Sequence, residues 1–265
     1  MSGETLKIAL HGATGRMGAA MVALCRETDV DIVGAVAEPG CSDIGRDLGE
    51  VHGFANVGVE VSADISAALL GADVVVDFSH ASAFPGLARA TKRAKIPLVT
   101  GTTGLGDEAI VALDDLATVV PVLWAPNFSL GIQVLVELVR HAVQRLGPSF
   151  DVELVEVHHR RKVDAPSGTA LRLAREVQAV REGLSLCHGR EGFVGARPDD
   201  EIAVMALRGG DVVGDHTVHL MGPGERLELT HRATSRAVLA RGALFAARAL
   251  PARAPGRLTL ADILV

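Results

Sequence analysis

The 265-residue chain has no tyrosine, one tryptophan and seven phenylalanines, so aromatic residues make up only 3% of it. Platforms that stack bases are hard to build from so few rings, and a net charge of −6 withholds the positive field that phosphate backbones require. Together these deficits exclude a general nucleic-acid binder. Cysteine is also scarce. Cys25, Cys41 and Cys187 are scattered without CxxC spacing, which argues against a disulfide framework or a zinc site and fits reduced cytosolic thiols. No apolar run approaches the ~18–20 residues of a membrane span. Nor does residues 1–10, with acidic Glu4 ahead of a strand-like run, offer a basic n-region and a cleavage site. A cytoplasmic protein with no membrane partner and no metal is expected. With 48% hydrophobic and 22% charged residues, the chain can bury a substantial core, in more than one domain.

What is present is organised as strands and helices in alternation. Residues 6–10 read as a buried strand, followed by His11-Gly12-Ala13-Thr14-Gly15-Arg16-Met17-Gly18 and a helical pattern through Met21, Val22 and Leu24. Glycines at 12, 15 and 18 permit a tight turn, close approach of a pyrophosphate and close helix–strand packing. A second strand, residues 31–37, ends at Glu38. That residue lies 20 positions after Gly18, the usual offset of the acid that holds an adenosine ribose. Pro39, Gly40 and Cys41 offer no cation for a 2′-phosphate, so the sequence leans towards NADH, although Arg16 could compensate.

Residues 74–78 form a continuous apolar strand of the kind buried on both faces of a parallel sheet. A helix from Ser82, a candidate cap, runs to about Ala94; strands at 96–100 and 119–123 flank a helix at 107–117. The loops Gly101-Thr102-Thr103 and Ala125-Pro126-Asn127-Phe128 close the two strands, either as ligand loops or as tight connections. This alternation predicts an α/β, Rossmann-type doubly wound parallel sheet, where ligands bind beyond the carboxyl ends of strands.

A long amphipathic helix over 129–146 leads into a strand at 151–158, in which period 2 places Glu156 and His158 on one face. The segment 156–170, E-V-H-H-R-R-K-V-D-A-P-S-G-T-A, then concentrates five protonatable or positive side chains, His158 to Lys162, before a Pro-Ser-Gly-Thr turn. Ser167 is a candidate N-cap, so Gly168 and Thr169 would fall in a first turn whose N–H groups suit a carboxylate. The segment reads either as an acid/base site for a small anion or as a solvated basic loop. Residues 188–200 look like a long loop. An antiparallel meander is expected at 202–207, 212–220 and 226–231, then a helix at 236–250 and a short apolar end at 258–265.

G-A-T-G-R-M-G at 12–18, G-T-T-G at 101–104, A-P-N-F-S at 125–129 and above all H-H-R-R-K-V-D-A-P-S-G-T-A at 158–170 resemble the dihydrodipicolinate reductase (4-hydroxy-tetrahydrodipicolinate reductase) family. R-G-G-D-V-V-G-D-H-T-V at 208–218 and L-T-H-R-A-T-S-R at 229–236 add to a resemblance that covers essentially the whole chain. It implies a dinucleotide-binding domain at 1–128 plus 237–265, and an α+β domain at 129–236 for substrate binding and homotetramer assembly. It also implies NAD(P)H-dependent reduction of a cyclic imine dicarboxylate to tetrahydrodipicolinate, in lysine synthesis through diaminopimelate. By position, His158 would be the proton donor/acceptor and Lys162 the proton donor, with His159, Gly168 and Thr169 on the substrate carboxylates. Gly12, Ala13, Thr14, Gly15, Arg16, Met17, Glu38, Gly101, Thr102, Thr103, Ala125, Pro126, Asn127 and Phe128 would bind cofactor.

The chain departs from the family pattern at Pro39, where Arg often follows the ribose-binding acid, and at His80, where Arg is common. The first departure favours NADH. Two competing readings make contrary demands. A catalytically silent dinucleotide-binding redox sensor should have lost His158 or Lys162, and a semialdehyde dehydrogenase needs a nucleophilic cysteine beside a base.

Overall fold

The protein, seen here as a computed structural model, is described over residues 5–264; Glu4 and Val265, which figure in the readings of the two chain ends, lie outside the described residues. Contacts divide the chain into two units, one running to Ser129 and resuming at Ala237, the other Leu130–Arg236. Ser129 stays with the first unit because its N–H is held by Asn127 Oδ1 at 2.8 Å, inside the loop that precedes the long helix.

The first unit comprises β1 (Leu6–His11), α1 (Arg16–Cys25), β2 (Val30–Val36), α2 (Leu48–Val51), β3 (Val61–Ser62), α3 (Ile65–Ala68), β4 (Val74–Asp77), α4 (Phe84–Ala94), β5 (Leu98–Thr100), α5 (Asp107–Ala117) and β6 (Pro121–Trp124). After the second unit's α6 (Leu130–Leu146), β7 (Asp151–His158), α7 (Gly168–Val180), β8 (Ser185–Cys187), β9 (Glu201–Arg208), β10 (Gly214–Gly222) and β11 (Glu225–Ala233), it adds α8 (Ala237–Ala249) and β12 (Gly256–Leu258). Its sheet has the order β12-β6-β5-β4-β1-β2-β3, with every ladder parallel. The chain starts at β1, winds outward through β2 and β3, then returns to β4 on the other side of β1. That reversal opens a crevice at the carboxyl ends of β1 and β4, where a doubly wound fold binds its ligand. Residues 74–77 are wholly buried, as a central strand covered on both faces must be.

The helix suggested to begin at Ser82 starts differently. A 3₁₀ turn, Ala81–Ala83, precedes α4, and the His80 ring caps that turn by accepting from the Ser82 N–H at 3.3 Å. Pro85 in the first turn of α4 removes an amide that would need a partner, so the helix forms without a side-chain cap. The strand suggested at 96–100 forms only over Leu98–Thr100, since Pro97 cannot donate to a ladder.

The second unit holds a five-stranded mixed sheet in the order β11-β10-β7-β9-β8. The meander suggested from residue 202 onward is therefore not formed. β10 and β11 are an antiparallel hairpin, but β9 is separated from β10 by β7, which pairs antiparallel with β10 and parallel with β9. The reason is burial. β7 turns Val152, Leu154 and Glu156 inward beneath α6 and α7, and takes the central place in the sheet. A parallel β7–β9 ladder needs a crossover, which α7 supplies. The core joins Val136, Val139 and Val143 of α6 and Leu173 and Val177 of α7 to Leu154, Val204, Val218 and Leu220 of the sheet.

Candidate active site

In the first unit, β1 ends in His11 and turns at Gly12, whose φ of +77° is a left-handed conformation. A Cβ at Gly12 would also stand 2.5 Å from the Phe78 carbonyl oxygen, so the turn passes directly beside the end of β4. Gly15 caps α1 with backbone alone, leaving the helix's positive end uncovered by any side chain. A cavity of about 710 Å³ opens here, within the ~300–1,000 Å³ usual for small-molecule sites. Gly12, Thr14, Gly15 and Glu38 line it, together with His11, Phe78, Ser79, His80, Pro85 and Arg89.

The other residues expected around a dinucleotide fall outside that lining. Ala13 is fully buried, and Arg16 and Met17 begin α1 outside the lining. Gly101 has room for no side chain, because the Phe78 ring would lie 2.2 Å from its Cβ. The Thr102 hydroxyl donates to Asp77 at 2.7 Å and its carbonyl accepts from the Trp124 indole at 3.0 Å, while exposed Thr103 follows in the loop. Ala125 and Phe128 are buried, with Phe128 edge-on to Phe78 at 5.7 Å; Asn127 braces its own loop, and exposed Pro126 lies between them.

Sequence reasoning missed the hub beneath this lining. The Asp77 carboxylate is fully buried and accepts from His11 Nδ1 at 2.7 Å, from Thr100 and Thr102 hydroxyls at 2.7 Å each and from the Ser79 N–H at 3.1 Å. Burial pushes its pKa up, but the His11 bond and charge and the hydroxyl and amide donors outweigh that and hold it below the usual range. One carboxylate thus ties together the ends of β1, β4 and β5. The only sequence signal was a charged residue closing an all-valine strand.

In the second unit, β7 and the loop after it build a second polar cluster. Glu156 is fully buried yet satisfied: His158 Nδ1 lies 2.5 Å from Oε2, Arg208 grips both oxygens at 2.8 and 2.9 Å, and the Ser167 N–H donates at 3.0 Å. Burial would raise the Glu156 pKa, but Arg208 first, then His158 and Ser167, bring it below the ordinary carboxylate value. Lys162 extends its ammonium to Asp164 at 2.7 and 2.8 Å. The Ser167 hydroxyl caps α7 by accepting from the Ala170 N–H at 3.2 Å and meets His216 Nε2 at 3.1 Å. Gly168 and Thr169 form the first turn of that helix. Burial lowers the His159 pKa, and the nearby charges of Arg236, His158, Lys162 and Arg208 lower it further, which marks this surface as electropositive. His216 is held neutral, its pKa pushed down to about 4 by burial and then by His158. Glu156, Arg208 and His216 complete a cluster in which the sequence had pointed to His158 and Lys162 for the proton and to His159, Gly168 and Thr169 for the substrate carboxylates.

Residues 6–128 match the family model described as dihydrodipicolinate reductase, N-terminus, and residues 131–264 that for its C-terminus. The chain belongs to the dihydrodipicolinate reductase family. A 4-hydroxy-tetrahydrodipicolinate reductase of Anaeromyxobacter dehalogenans (strain 2CP-C) is 47% identical over 263 residues, 97% of each chain. The protein of that name from Alkalilimnicola ehrlichii is 43% identical, across 98% of this chain and 99% of its own. Among solved structures, the dipicolinate-bound dihydrodipicolinate reductase of Paenisporosarcina sp. TG-14 shares the fold, with a TM-score of 0.80 at 24% identity over 99% of this chain and 100% of its own. Within the dihydrodipicolinate reductase family, then, the cavity falls in the region of the N-terminal match and the Glu156 cluster in that of the C-terminal one. The family's members are NAD(P)-dependent oxidoreductases, which leaves no place for the thiol-based reading. Cys25 in particular is no nucleophile, since burial first and then Asp31 push its thiol up to about 12.

No helix among the described residues is long and apolar enough to cross a membrane, and no cluster of three or more His, Cys, Asp or Glu there is arranged to hold a metal.

Proposed function

We propose that this chain reduces 4-hydroxy-tetrahydrodipicolinate, with NAD(P)H and a proton, to tetrahydrodipicolinate, NAD(P)⁺ and water, and that its two clusters divide the work. The nicotinamide cofactor supplies the hydride. The first-unit cavity fits a dinucleotide on its own geometry: a side-chain-free turn at Gly12, the uncovered start of α1 and a carboxylate, Glu38, at the end of β2. Glu38 would hold the ribose hydroxyls, with Thr14 and Gly15 beside the phosphates and residues 101–103 and 125–128 backing the cavity. Pro39 follows Glu38 and also lines the cavity, which supports NADH as the better cofactor; Arg89 is the arginine in that lining.

The second cluster supplies the proton. Elimination of water leaves a conjugated imine, and hydride addition to it leaves an electron pair that must take up H⁺; a positioned imidazole or ammonium is worth ~10²–10⁴ in rate. His158 and Lys162 fill that role, and His159 with the first turn of α7 at Gly168 and Thr169 would receive the two substrate carboxylates. The observation that carries the reading is the pair of proton-bearing side chains beside a capped helix N-terminus on an electropositive surface. A homotetramer assembled through the sheet of the second unit, working in the cytoplasm, completes the proposal.

The test is a coupled assay that generates substrate in place and follows cofactor oxidation at 340 nm, with NADH and NADPH in parallel. Turnover with at least one is expected, faster with NADH at equal low concentration. No oxidation with either cofactor would remove the reading.

A further inference from the structure

Glu156 is sealed from solvent, yet it collects four donors from three elements, and that concentration of bonds demands a reason. An ionised carboxylate can only accept, so the 2.5 Å contact requires His158 Nδ1 to carry hydrogen. The nitrogen left to gain and lose a proton is Nε2. A second observation bears on the same atom. A Cβ on Gly214 would stand 2.9 Å from Nε2, so only glycine there leaves that nitrogen uncovered.

Arg208 joins this arrangement to the other proton-bearing side chain. Its Nη1 and Nη2 grip Glu156, and Nη2 also donates to the Asp164 carbonyl at 2.7 Å, fixing the backbone whose side chain holds the Lys162 ammonium. The fork geometry of a guanidinium allows both contacts at once, which an ammonium cannot reproduce.

We propose that Glu156 and Arg208 are a positioning pair that selects Nε2 as the working nitrogen of His158 and holds His158 and Lys162 in one fixed relation. The proposal rests on reading His158 and Lys162 as the groups that deliver the proton. With Nδ1–H donated to Glu156, Nε2 is the nitrogen open to proton exchange. Nε2 takes a proton from water, giving the imidazolium, and releases it to the substrate after hydride addition, returning to the same tautomer. The charged and titratable groups around the ring are Glu156 from its own strand, Arg208 from β9, His216 from β10 at a ring separation of 5.2 Å and His159 from the loop, with Lys162 near enough to act on His159 and His216. Glu156 sets a negative charge against the ring, and Glu156→Gln removes the charge that favours the imidazolium.

The experiment combines ring-¹⁵N spectra of histidine-labelled protein with kinetics of Glu156→Gln, Arg208→Lys and Gly214→Ala. In the unsubstituted protein His158 is expected in the Nδ1–H tautomer. Glu156→Gln and Arg208→Lys should each lose that preference and lower kcat roughly 10- to 100-fold, the range for a removed orienting partner. The arm of the kcat–pH profile set by the imidazolium should move to lower pH in Glu156→Gln. Cofactor dissociation constants should not change in either. Because Glu156 and Arg208 act as one unit, the double variant should be no worse than the poorer single one. Gly214→Ala should keep the tautomer but lose turnover.

An Nε2–H tautomer in the unsubstituted protein overturns the proposal. So do variants that lose thermal stability but keep both tautomer and pH profile, since that pattern describes a purely structural carboxylate. If the unsubstituted protein turns nothing over yet shows the Nδ1–H tautomer, the reaction assignment fails while the positioning role of the pair stands.

Discussion

At the scale of single residues, function depends on which groups can hold or release a proton near neutrality. Substituting His158→Ala or Lys162→Ala should lower kcat by ~10²–10⁴, the usual worth of a positioned acid or base. Neither side chain lines the first-unit cavity, so NADH dissociation constants from fluorescence titration should be unchanged. Glu38 is the converse case: Glu38→Ala should weaken NADH more than NADPH, because only a free 2′-hydroxyl can donate to the carboxylate. Equal loss with both cofactors would refute the ribose assignment. His216 makes a third test, read in stability rather than rate. Its pKa falls from 6.5 to about 4 on folding, so between those values the unfolded chain binds a proton that the folded chain does not. Stability should therefore fall as pH drops from about 6.5 towards 4, with this group adding up to about 1.4 kcal/mol per pH unit. In His216→Asn the urea midpoint should fall less steeply across that interval.

Elements show most clearly what a sequence can and cannot reveal. Strands and helices with a strong period were legible: the helix at 107–117 forms over that span, and Ser167 caps α7 as its position before the apolar pattern suggests. Glu156 and His158 do share a face, which alternation alone dictates. Sheet order was not legible, because pairing joins strands distant in sequence, and β7 comes between β9 and β10. Nor were α2, β3, α3 and β12, which are too short to carry a period. The Asp77 and Glu156 hubs stayed hidden because their donors come from positions up to 66 and 52 residues away. Close packing between elements also left no mark beyond a glycine. A Cβ at Gly242 of α8 would lie 1.7 Å from the Phe128 carbonyl oxygen, so helix and loop meet backbone to backbone. Gly242→Ala should cost about 1–3 kcal/mol, as overpacking does. It should also raise the KM for NADH by displacing residues 125–128. Chemical denaturation and initial rates would check the two effects; unchanged values would mean that α8 can shift without strain.

For the whole molecule, assembly turns on the second face of the second unit's sheet. One face of β7, β9 and β10 packs on α6 and α7; the other presents Val155, Val157, Met205, Leu207 and Thr217, brought side by side by the ladder registers. These side chains are only partly buried, and Leu207 is half exposed. A sheet face with this much aliphatic surface is unusual in water and favours burial against a copy of itself, as closed symmetric assembly provides. The fully exposed Phe193 and half-exposed Val194 on the loop at 188–200 offer further apolar surface in the same unit. The proposed homotetramer predicts, in sedimentation equilibrium, the mass of four 27.6 kDa chains. Met205→Lys together with Leu207→Lys places two charges on the open face, where pairing would have to desolvate them. The double variant should sediment as smaller species with its far-ultraviolet spectrum intact. A tetramer undisturbed by these charges would move the interface elsewhere, and a monomeric unsubstituted protein would show that the open face stays in water.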